Sequence, residues 1–168
     1  MTSPMTRRIL YFLISAGIVV LDRVTKLAVI HRIELHDSVK LISGFFSLTH
    51  IENQGAAFGI FNDSPARWKI ALLIAFSLVA MSVVATLIWK NSERFTSGTL
   101  GLALIFGGAC GNLWDRLVRG QVTDFLLFYY QQYQWPAFNA ADSAIVIGAG
   151  FLVLDILLAK KPDETLSS

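Results

Sequence analysis

Two uncharged runs of twenty residues constrain the fold of this chain more than any other feature. They are Ile70–Trp89 and Phe95–Trp114. A helix needs about 20 mostly apolar residues to cross a bilayer, so each run is long enough for one span. Since 54% of the 168 residues are hydrophobic and only 15% are charged, the chain has more apolar surface than a soluble domain of this size can bury. The sequence therefore predicts an integral membrane protein.

Two further segments, 9–30 and 138–159, reach spanning length only by including charged side chains. Their charged residues are Asp22, Arg23, Lys26, Asp142 and Asp155. We predict an all-α membrane protein with a small β element, organised as a single integral membrane domain over residues 1–168. Its four transmembrane helices are expected at approximately 9–30, 68–89, 96–118 and 138–159.

The basic residues set the expected orientation, because cytoplasmic loops carry an excess of Lys and Arg. They lie near both ends of the chain and between the second and third spans, at Arg7, Arg8, Lys90, Arg94, Lys160 and Lys161. Both termini are therefore expected in the cytoplasm. A group of polar residues then gathers near the outer face: Asp22, Lys26, Asn112, Asp115, Arg116, Asp124, Asn139 and Asp142. Asp155 falls near the inner face, and we assign it no role.

The segment 31–67 is the one sizeable piece expected outside the membrane, between the first two helices. Val39–Ile42 and Phe45–Ile51 are rich in β-prone residues and partly alternate, which favours a small sheet platform. Glu52–Gly59 follows, with small residues and glycines that would let an extended peptide approach the backbone closely. An ordinary hairpin turn on the lipid headgroups fits this stretch equally well.

Asp124 and Asp142 flank one loop between two apolar segments, so antiparallel helices would bring both to one depth. Two close carboxylates do not both ionise easily, and a pair with one proton can activate water and protonate a carbonyl. Asn112, Asn139 and Arg116 are available to orient the carboxylates, and Ser143 to cap the last helix or bond to a carboxylate. Two alternatives stay open: a proton or cation pathway, and structural ion pairs such as Asp115 with Arg116 or Asp22 with Lys26.

Other functional classes find little support. The net charge of +2 is small and scattered, so no nucleic-acid partner is expected. One cysteine cannot form an internal disulfide, and the three histidines lack the helical spacing of a zinc protease. We therefore expect neither a metal nor a cofactor.

Five motifs, in order, resemble those of the lipoprotein signal peptidases, the signal peptidase II family of bacteria. They are Asp22-x-x-Thr25-Lys26, Asn53-x-Gly55-Ala56-Ala57-Phe58, Gly107-Gly108-Ala109-x-Gly111-Asn112-x-x-Asp115-Arg116, Val122-x-Asp124-Phe125 and Phe138-Asn139-x-Ala141-Asp142-Ser143. The resemblance spans almost the whole chain. Arg23 departs from the pattern, since the family often has glutamine there.

The resemblance implies an aspartic endopeptidase of the bacterial inner membrane, with its site near the periplasmic face and a small periplasmic β-cradle. It would remove the signal peptide from prolipoproteins by cutting N-terminal to a diacylglyceryl-modified cysteine. Asp124 and Asp142 match the catalytic pair. The residues that match substrate-binding or supporting positions are Asp22, Lys26, Asn53, Gly55, Asn112, Asp115, Arg116, Asn139, Ala141 and Ser143. The implied partners are prolipoproteins, membrane lipids and the inhibitor globomycin, and a monomer is expected.

Overall fold

The computed structural model describes residues 3–55, 67–93 and 95–158. This part of the chain folds into helices and one small antiparallel sheet. The helices are α1 (Pro4–Arg32), α2 (Arg67–Asn91), α3 (Ser97–Arg119) and α4 (Ala140–Leu158). The strands are β1 (Ser38–Ile42), β2 (Phe46–Asn53), β3 (Val122–Tyr130) and β4 (Tyr133–Gln134). The mostly helical architecture with a small β element agrees with the prediction.

Helix α3 occupies the centre of the helical layer, where it packs against α1, α2 and α4. Thr96 caps its N-terminus by accepting a hydrogen bond from the Thr99 N–H, and Gly120 ends it with φ 71°. Glycines bring its neighbours close. A Cβ on Gly107 would lie 2.7 Å from the Ser15 carbonyl oxygen of α1. A larger side chain at such a position would force the helices apart.

Two of the described helices are long and apolar enough to cross a membrane: α2 over Trp68–Asn91, and α4. Large apolar side chains of α2, such as Phe76 and Val79, are exposed, as expected of a surface that faces lipid. Helices α1 and α3 match the predicted spans 9–30 and 96–118 in position, but each includes charged residues. The count of four spans stays a prediction.

The sheet has the order β1-β2-β3-β4, with every neighbouring pair antiparallel. The prediction of a sheet between the first two helices was therefore incomplete. Strands β1 and β2 come from that segment, but β3 and β4 follow α3. Strand β3 is buried over Val122–Phe125, and its first three residues pair with Ile51–Asn53 of β2.

A bulge interrupts the pairing of β2 with β3 beside Asp124. Leu48 pairs with Leu126 and Ile51 with Asp124, so Thr49 and His50 both lie opposite Phe125. The Phe138 carbonyl oxygen accepts hydrogen bonds from the N–H groups of Phe125 and Leu126 at 3.0 and 2.8 Å. Bulges bend a strand and redirect its side chains. Here the bulge sets the direction of the residues that follow it in β2.

Helices α3 and α4 meet through Gly101 and Gly148, and this contact predicts a stability difference. A Cβ on either glycine would lie 2.5 Å from the backbone oxygen of the other, whereas Gly150, also on α4, has nothing within 4 Å. We expect Gly148→Ala to lower the thermal midpoint of unfolding. Gly150→Ala, the matched control, should leave it unchanged or raise it, because alanine favours a helix by about 1 kcal/mol over glycine. Equal midpoints for both variants would contradict this packing.

Candidate active site

Asp124 lies on β3, where two amide side chains hold its carboxylate. Asn53 Nδ2, at the end of β2, donates to Asp124 Oδ2 at 2.9 Å. Asn139 Nδ2 donates to Asp124 Oδ1 at 2.7 Å. Asp124 is buried, and each of its oxygens has a donor. Two separate segments therefore fix the orientation of this carboxylate.

Asp142 lies in the first turn of α4 and forms a reciprocal cap with Asn139. Asn139 Oδ1 accepts from the Asp142 N–H at 2.9 Å, and Asp142 Oδ2 accepts from the Asn139 N–H at 3.3 Å. This is the geometry of a capping box, with Asn and Asp in place of the usual pair. Asn112 Nδ2 of α3 donates to Asp142 Oδ1 at 2.7 Å. The helix N-terminus favours negative charge at this position.

The side chain of Asn139 joins the two aspartates. Its amide nitrogen binds the Asp124 carboxylate while its amide oxygen binds the backbone of Asp142. The residue is fully buried, so its hydrogen bonds do not compete with bulk water. Asp124 and Asp142 also line the same cavity. The structure thus brings together the two acids that the sequence separates by eighteen residues.

The Lys26 ammonium lies fully buried behind these residues, on α1. Its Nζ lies 2.8 Å from Asp22 Oδ2 and 2.7 Å from Asp115 Oδ2, and both carboxylates are fully buried as well. Lys26 Nζ also donates to Asn112 Oδ1 at 3.1 Å. Because Asn112 in turn donates to Asp142, one amide connects the buried cation to the candidate site.

Asp22 also supports the start of α4, since its Oδ1 accepts from the Ala141 N–H at 3.0 Å. A Cβ on Gly111 would lie 2.7 Å from Asp22 Oδ2, so glycine at this position leaves room for that carboxylate. Of the two structural ion pairs considered from the sequence, Asp22 with Lys26 is present.

The other alternative, an ion pair between Asp115 and Arg116, was wrong. Asp115 instead pairs with Lys26 and Arg23, because consecutive residues of a helix do not face each other. Arg116 Nη2 donates to the Gly55 carbonyl oxygen at 3.2 Å, and its Nη1 to the Asn112 carbonyl oxygen at 3.5 Å.

Asn53 shapes the chain that follows it, because its Oδ1 accepts from the Gly55 N–H at 2.8 Å. Together with Arg116, it fixes the last residues before the segment 56–66. Of the stretch Glu52–Gly59, which was expected to let a peptide approach the backbone, residues 56–59 lie outside the described residues.

Ser143 does not take either predicted role. Its hydroxyl donates to the Asn139 carbonyl oxygen at 2.9 Å, one turn earlier in the chain. Asn139 is the capping residue instead, because its short amide side chain reaches the Asp142 N–H at the first turn. Ser143 does line the cavity beside the two aspartates.

The cavity beside the aspartates has a volume of about 510 Å³. This lies within the roughly 300–1,000 Å³ typical of ligand sites. Its lining is mostly apolar and includes the two aspartates: Asn53, Asp124, Trp135, Pro136, Ala137, Phe138, Asp142, Ser143, Ile145, Val146 and Ile147. The cavity therefore combines two acids with a wall suited to an apolar ligand.

Burial raises the pKa of Asp124 from 3.8 to about 7. The hydrogen bond from Asn53 lowers this pKa, the charge of Asp142 raises it, and the hydrogen bond from Asn139 lowers it. Burial prevails because removing a carboxylate from water disfavours its charged form more than two amide donors favour it. Asp124 thus exchanges its proton near neutral pH.

Sequence reasoning missed a polar cluster behind β3, made of His50, Glu52, Arg119 and Thr123. Its members come from three elements, and Glu52 and Arg119 are 67 residues apart. Strand alternation could have indicated that Glu52 and Thr123 face away from the aspartates, but not that they pair. Among the described residues, no group of three or more His, Cys, Asp or Glu side chains is placed to hold a metal ion.

Solved structures place this fold among the membrane enzymes. The chain superposes on a bacterial membrane enzyme determined by the in meso method at 2.3 Å with a TM-score of 0.80, 27% identity and 94% coverage of both chains. A second bacterial membrane enzyme, determined at 1.9 Å, gives a TM-score of 0.77 at 28% identity, over 89% of this chain and 94% of the other.

Sequence comparisons give the family. The family model described as signal peptidase (SPase) II matches residues 14–158. The lipoprotein signal peptidase of Solibacter usitatus is 43% identical, over 92% of this chain and 94% of that protein. The lipoprotein signal peptidase of Desulforapulum autotrophicum is 46% identical, over 90% and 93%. The chain belongs to the signal peptidase II family, which confirms the resemblance seen in its motifs.

The burial of Lys26 predicts the effect of removing its charge. We expect Lys26→Met to destabilise the fold by about 3–5 kcal/mol, because it leaves the buried Asp22 carboxylate without a cation, whereas Asp115 keeps Arg23 and Arg119. Adding Asp22→Asn should recover part of this loss. The measurement is the thermal midpoint in detergent, with Lys40→Met on the exposed strand β1 as the control. A midpoint for Lys26→Met equal to that of the control would contradict the assignment.

Proposed function

We propose that this member of the signal peptidase II family, which removes signal peptides from prolipoproteins, acts as an aspartic endopeptidase with Asp124 and Asp142 as its catalytic pair. One observation carries the proposal. The two carboxylates line one cavity and are held by the same buried residue, Asn139. Such a pair supplies the acid and the base that hydrolysis of a peptide bond requires. No metal or cofactor takes part in this chemistry.

The surroundings of the two acids assign their roles. Asp124, with its pKa raised to about 7 by burial, is the proposed acid, because it can carry a proton near neutral pH. Asp142 is the proposed base, since its carboxylate accepts hydrogen bonds from Asn112 and the Asn139 N–H at the start of a helix. Two carboxylates whose environments differ in this way take different parts in acid–base catalysis.

The reaction then proceeds in two steps. Asp142 takes a proton from a water molecule, whose oxygen attacks the carbonyl carbon of the scissile peptide bond while Asp124 protonates the carbonyl oxygen. The resulting gem-diol collapses: its hydroxyl returns a proton to Asp124, the C–N bond breaks, and the proton on Asp142 passes to the leaving amine. The products are a free carboxyl and a free amine, and both aspartates return to their starting states.

The substrate is a prolipoprotein that carries a diacylglyceryl cysteine, and the cut falls N-terminal to this residue. The cavity supports the assignment because its apolar wall includes Ile145, Val146 and Ile147 of α4. Val146 is 68% exposed on the surface that faces lipid, so acyl chains can lie there while the peptide bond reaches the aspartates. Globomycin, as a blocked peptide, would occupy the same cavity.

This mechanism implies a defined place in the cell. The chain is a single integral membrane domain with four spans in the bacterial inner membrane, both termini lie in the cytoplasm, and the site lies near the periplasmic face. The arrangement of basic residues at the chain ends supports this orientation. The enzyme acts as a monomer on prolipoproteins within the membrane lipids, because one chain supplies both aspartates and their supporting side chains.

The proposal predicts that both aspartates are indispensable for cleavage. Asp124→Asn and Asp142→Asn should each abolish cleavage of a diacylglyceryl-modified prolipoprotein by the purified enzyme, while the fold and membrane insertion persist. Asp155→Asn, which changes an acid at the far end of α4 beside Ser97, is the matched control and should retain activity. A chelator should have no effect, and globomycin should inhibit. Substantial turnover by both aspartate variants would refute the catalytic pair.

The raised pKa of Asp124 predicts the pH dependence. Because the proposed acid must hold its proton, kcat/KM should fall as the pH rises through about 7. The Asp124 carboxylate is influenced by Asp142, Lys26, Asn53 and Asn139. The apparent pKa read from the fall of kcat/KM therefore belongs to this group of residues as a whole. The free energy of unfolding should also fall as the pH rises. The folded state holds the Asp124 proton more tightly than the unfolded chain, so this contribution to stability is lost between about pH 4 and 7. A kcat/KM that stays constant from about pH 6 to 9 would contradict the assignment.

A further inference from the structure

The polar cluster behind β3 connects helix α3 to the end of strand β2. Arg119 Nη1 donates to Glu52 Oε1 at 3.1 Å, and its Nη2 donates to Thr123 Oγ1 at 2.5 Å. The Thr123 hydroxyl in turn donates to Glu52 Oε1 at 3.1 Å. Each pair of these three residues is therefore hydrogen-bonded, and Thr123 is fully buried.

The cluster lies on the face of the sheet opposite the aspartates. Glu52 pairs directly with Thr123, while Asn53 pairs with Val122 and Ile51 with Asp124. Because successive side chains of a strand point to opposite faces, Asn53 and Asp124 share one face, and Glu52 and Thr123 share the other. The cluster consequently cannot touch a substrate at the aspartates, but it holds the same stretch of backbone.

This stretch needs a constraint, because the bulge lies immediately before it. Thr49 and His50 both face Phe125, so the pairing of β2 with β3 resumes only at Ile51 and ends at Asn53. A shift of one residue in this short stretch would turn Asn53 to the opposite face and remove it from Asp124. His50 connects the polar cluster to the end of α1. Its Nε2 lies 3.2 Å from Glu52 Oε1, and its Nδ1 lies 2.9 Å from the Ile33 carbonyl oxygen.

The same cluster reaches the buried charges of the helices. Arg119 Nη2 lies 3.5 Å from Asp115 Oδ1, one helical turn before it, and Asp115 pairs with Lys26. Arg119 thus ties the sheet to α3. The same helix carries Asn112, whose amide donates to Asp142.

We propose that Arg119, Glu52 and Thr123 form a register lock that positions Asn53 on Asp124 and thereby sets the rate of peptide cleavage. The lock rests on the proposed function, since it acts through Asp124 as a catalytic residue. Its members are positioning residues and do not contact the reacting atoms. Glu52 and Arg119 are joined across 67 residues of sequence, so the lock exists only in the folded chain.

Substitution of Thr123 tests the lock in the full-length enzyme with a diacylglyceryl-modified prolipoprotein. Thr123→Val keeps the shape but removes the hydroxyl, and we expect kcat to fall about 10- to 100-fold with little change in KM, since small misplacements of catalytic groups cost rates of this order. Thr123→Ser keeps the hydroxyl and should restore kcat. Arg119→Lys keeps the charge but loses the two-pronged contact, so it should behave as Thr123→Val does.

Thr49→Val is the matched control, because it removes another buried hydroxyl of the same sheet. Thr49 Oγ1 donates to the Asp37 carbonyl oxygen at 3.0 Å and accepts from Ser38 Oγ, on the side of β2 that pairs with β1. Its thermal midpoint should fall as much as that of Thr123→Val, while its kcat stays within about threefold of the wild-type value. An equal loss of kcat in both variants would mean that Thr123 acts only by stabilising the sheet, which would overturn the proposal.

Two further readouts separate positioning from general loss of structure. The Asn53 hydrogen bond lowers the pKa of Asp124, so releasing Asn53 should move the alkaline limb of kcat/KM to higher pH in Thr123→Val. In an Asn53→Ala background, Thr123→Val should change kcat by less than about threefold, because the two substitutions remove the same contact. Full multiplicative effects, or wild-type kcat and pH dependence in Thr123→Val, would overturn the lock.

The aspartate variants distinguish this outcome from failure of the proposed function. If the wild type cleaves, Asp124→Asn and Asp142→Asn are inactive, and the Thr123 and Arg119 variants behave as wild type, only the lock fails. If Asp124→Asn retains substantial turnover, the catalytic pair fails first.

Discussion

The buried N-terminus of α4 is the constraint on which the rest of the site depends. The first N–H groups of a helix have no partners within it, and leaving them unpaired in the protein interior is costly. Asp22 of α1 accepts from the Ala141 N–H, and Asn139 accepts from the Asp142 N–H. Satisfying these groups brings α1 to the start of α4 and fixes Asn139, whose side-chain nitrogen donates to Asp124.

Burial of Asp22 in turn requires a cation, because an isolated carboxylate in the interior would be strongly unfavourable. Lys26, one turn later on α1, supplies the charge and also pairs with Asp115 of α3. The glycines of α3 make this possible, since a side chain at position 111 would occupy the space of Asp22 Oδ2. The capping of one helix thus determines the charges and the close packing of three helices.

The sequence predicted what local patterns encode and missed what depends on distant pairing. Runs of apolar residues located the helices to within a few residues, and the motifs singled out Asp124, Asp142 and Asn139. Strand β3 was not predicted, because its buried start is stabilised by β2, about seventy residues earlier. The alternative that paired Asp115 with its neighbour Arg116 was wrong, because helical geometry directs Asp115 to residues of α1.

The two aspartates differ in their surroundings, and this difference is the basis for their separate roles in the proposed reaction. Asp124 lies in a buried strand and receives only neutral amide donors, so desolvation dominates and its pKa reaches about 7. Asp142 lies at a helix N-terminus and is connected through Asn112 to the Lys26 ammonium. A symmetric pair would share its proton without preference. Because strand and helix supply unequal surroundings, the proposed mechanism assigns the acid to Asp124 and the base to Asp142.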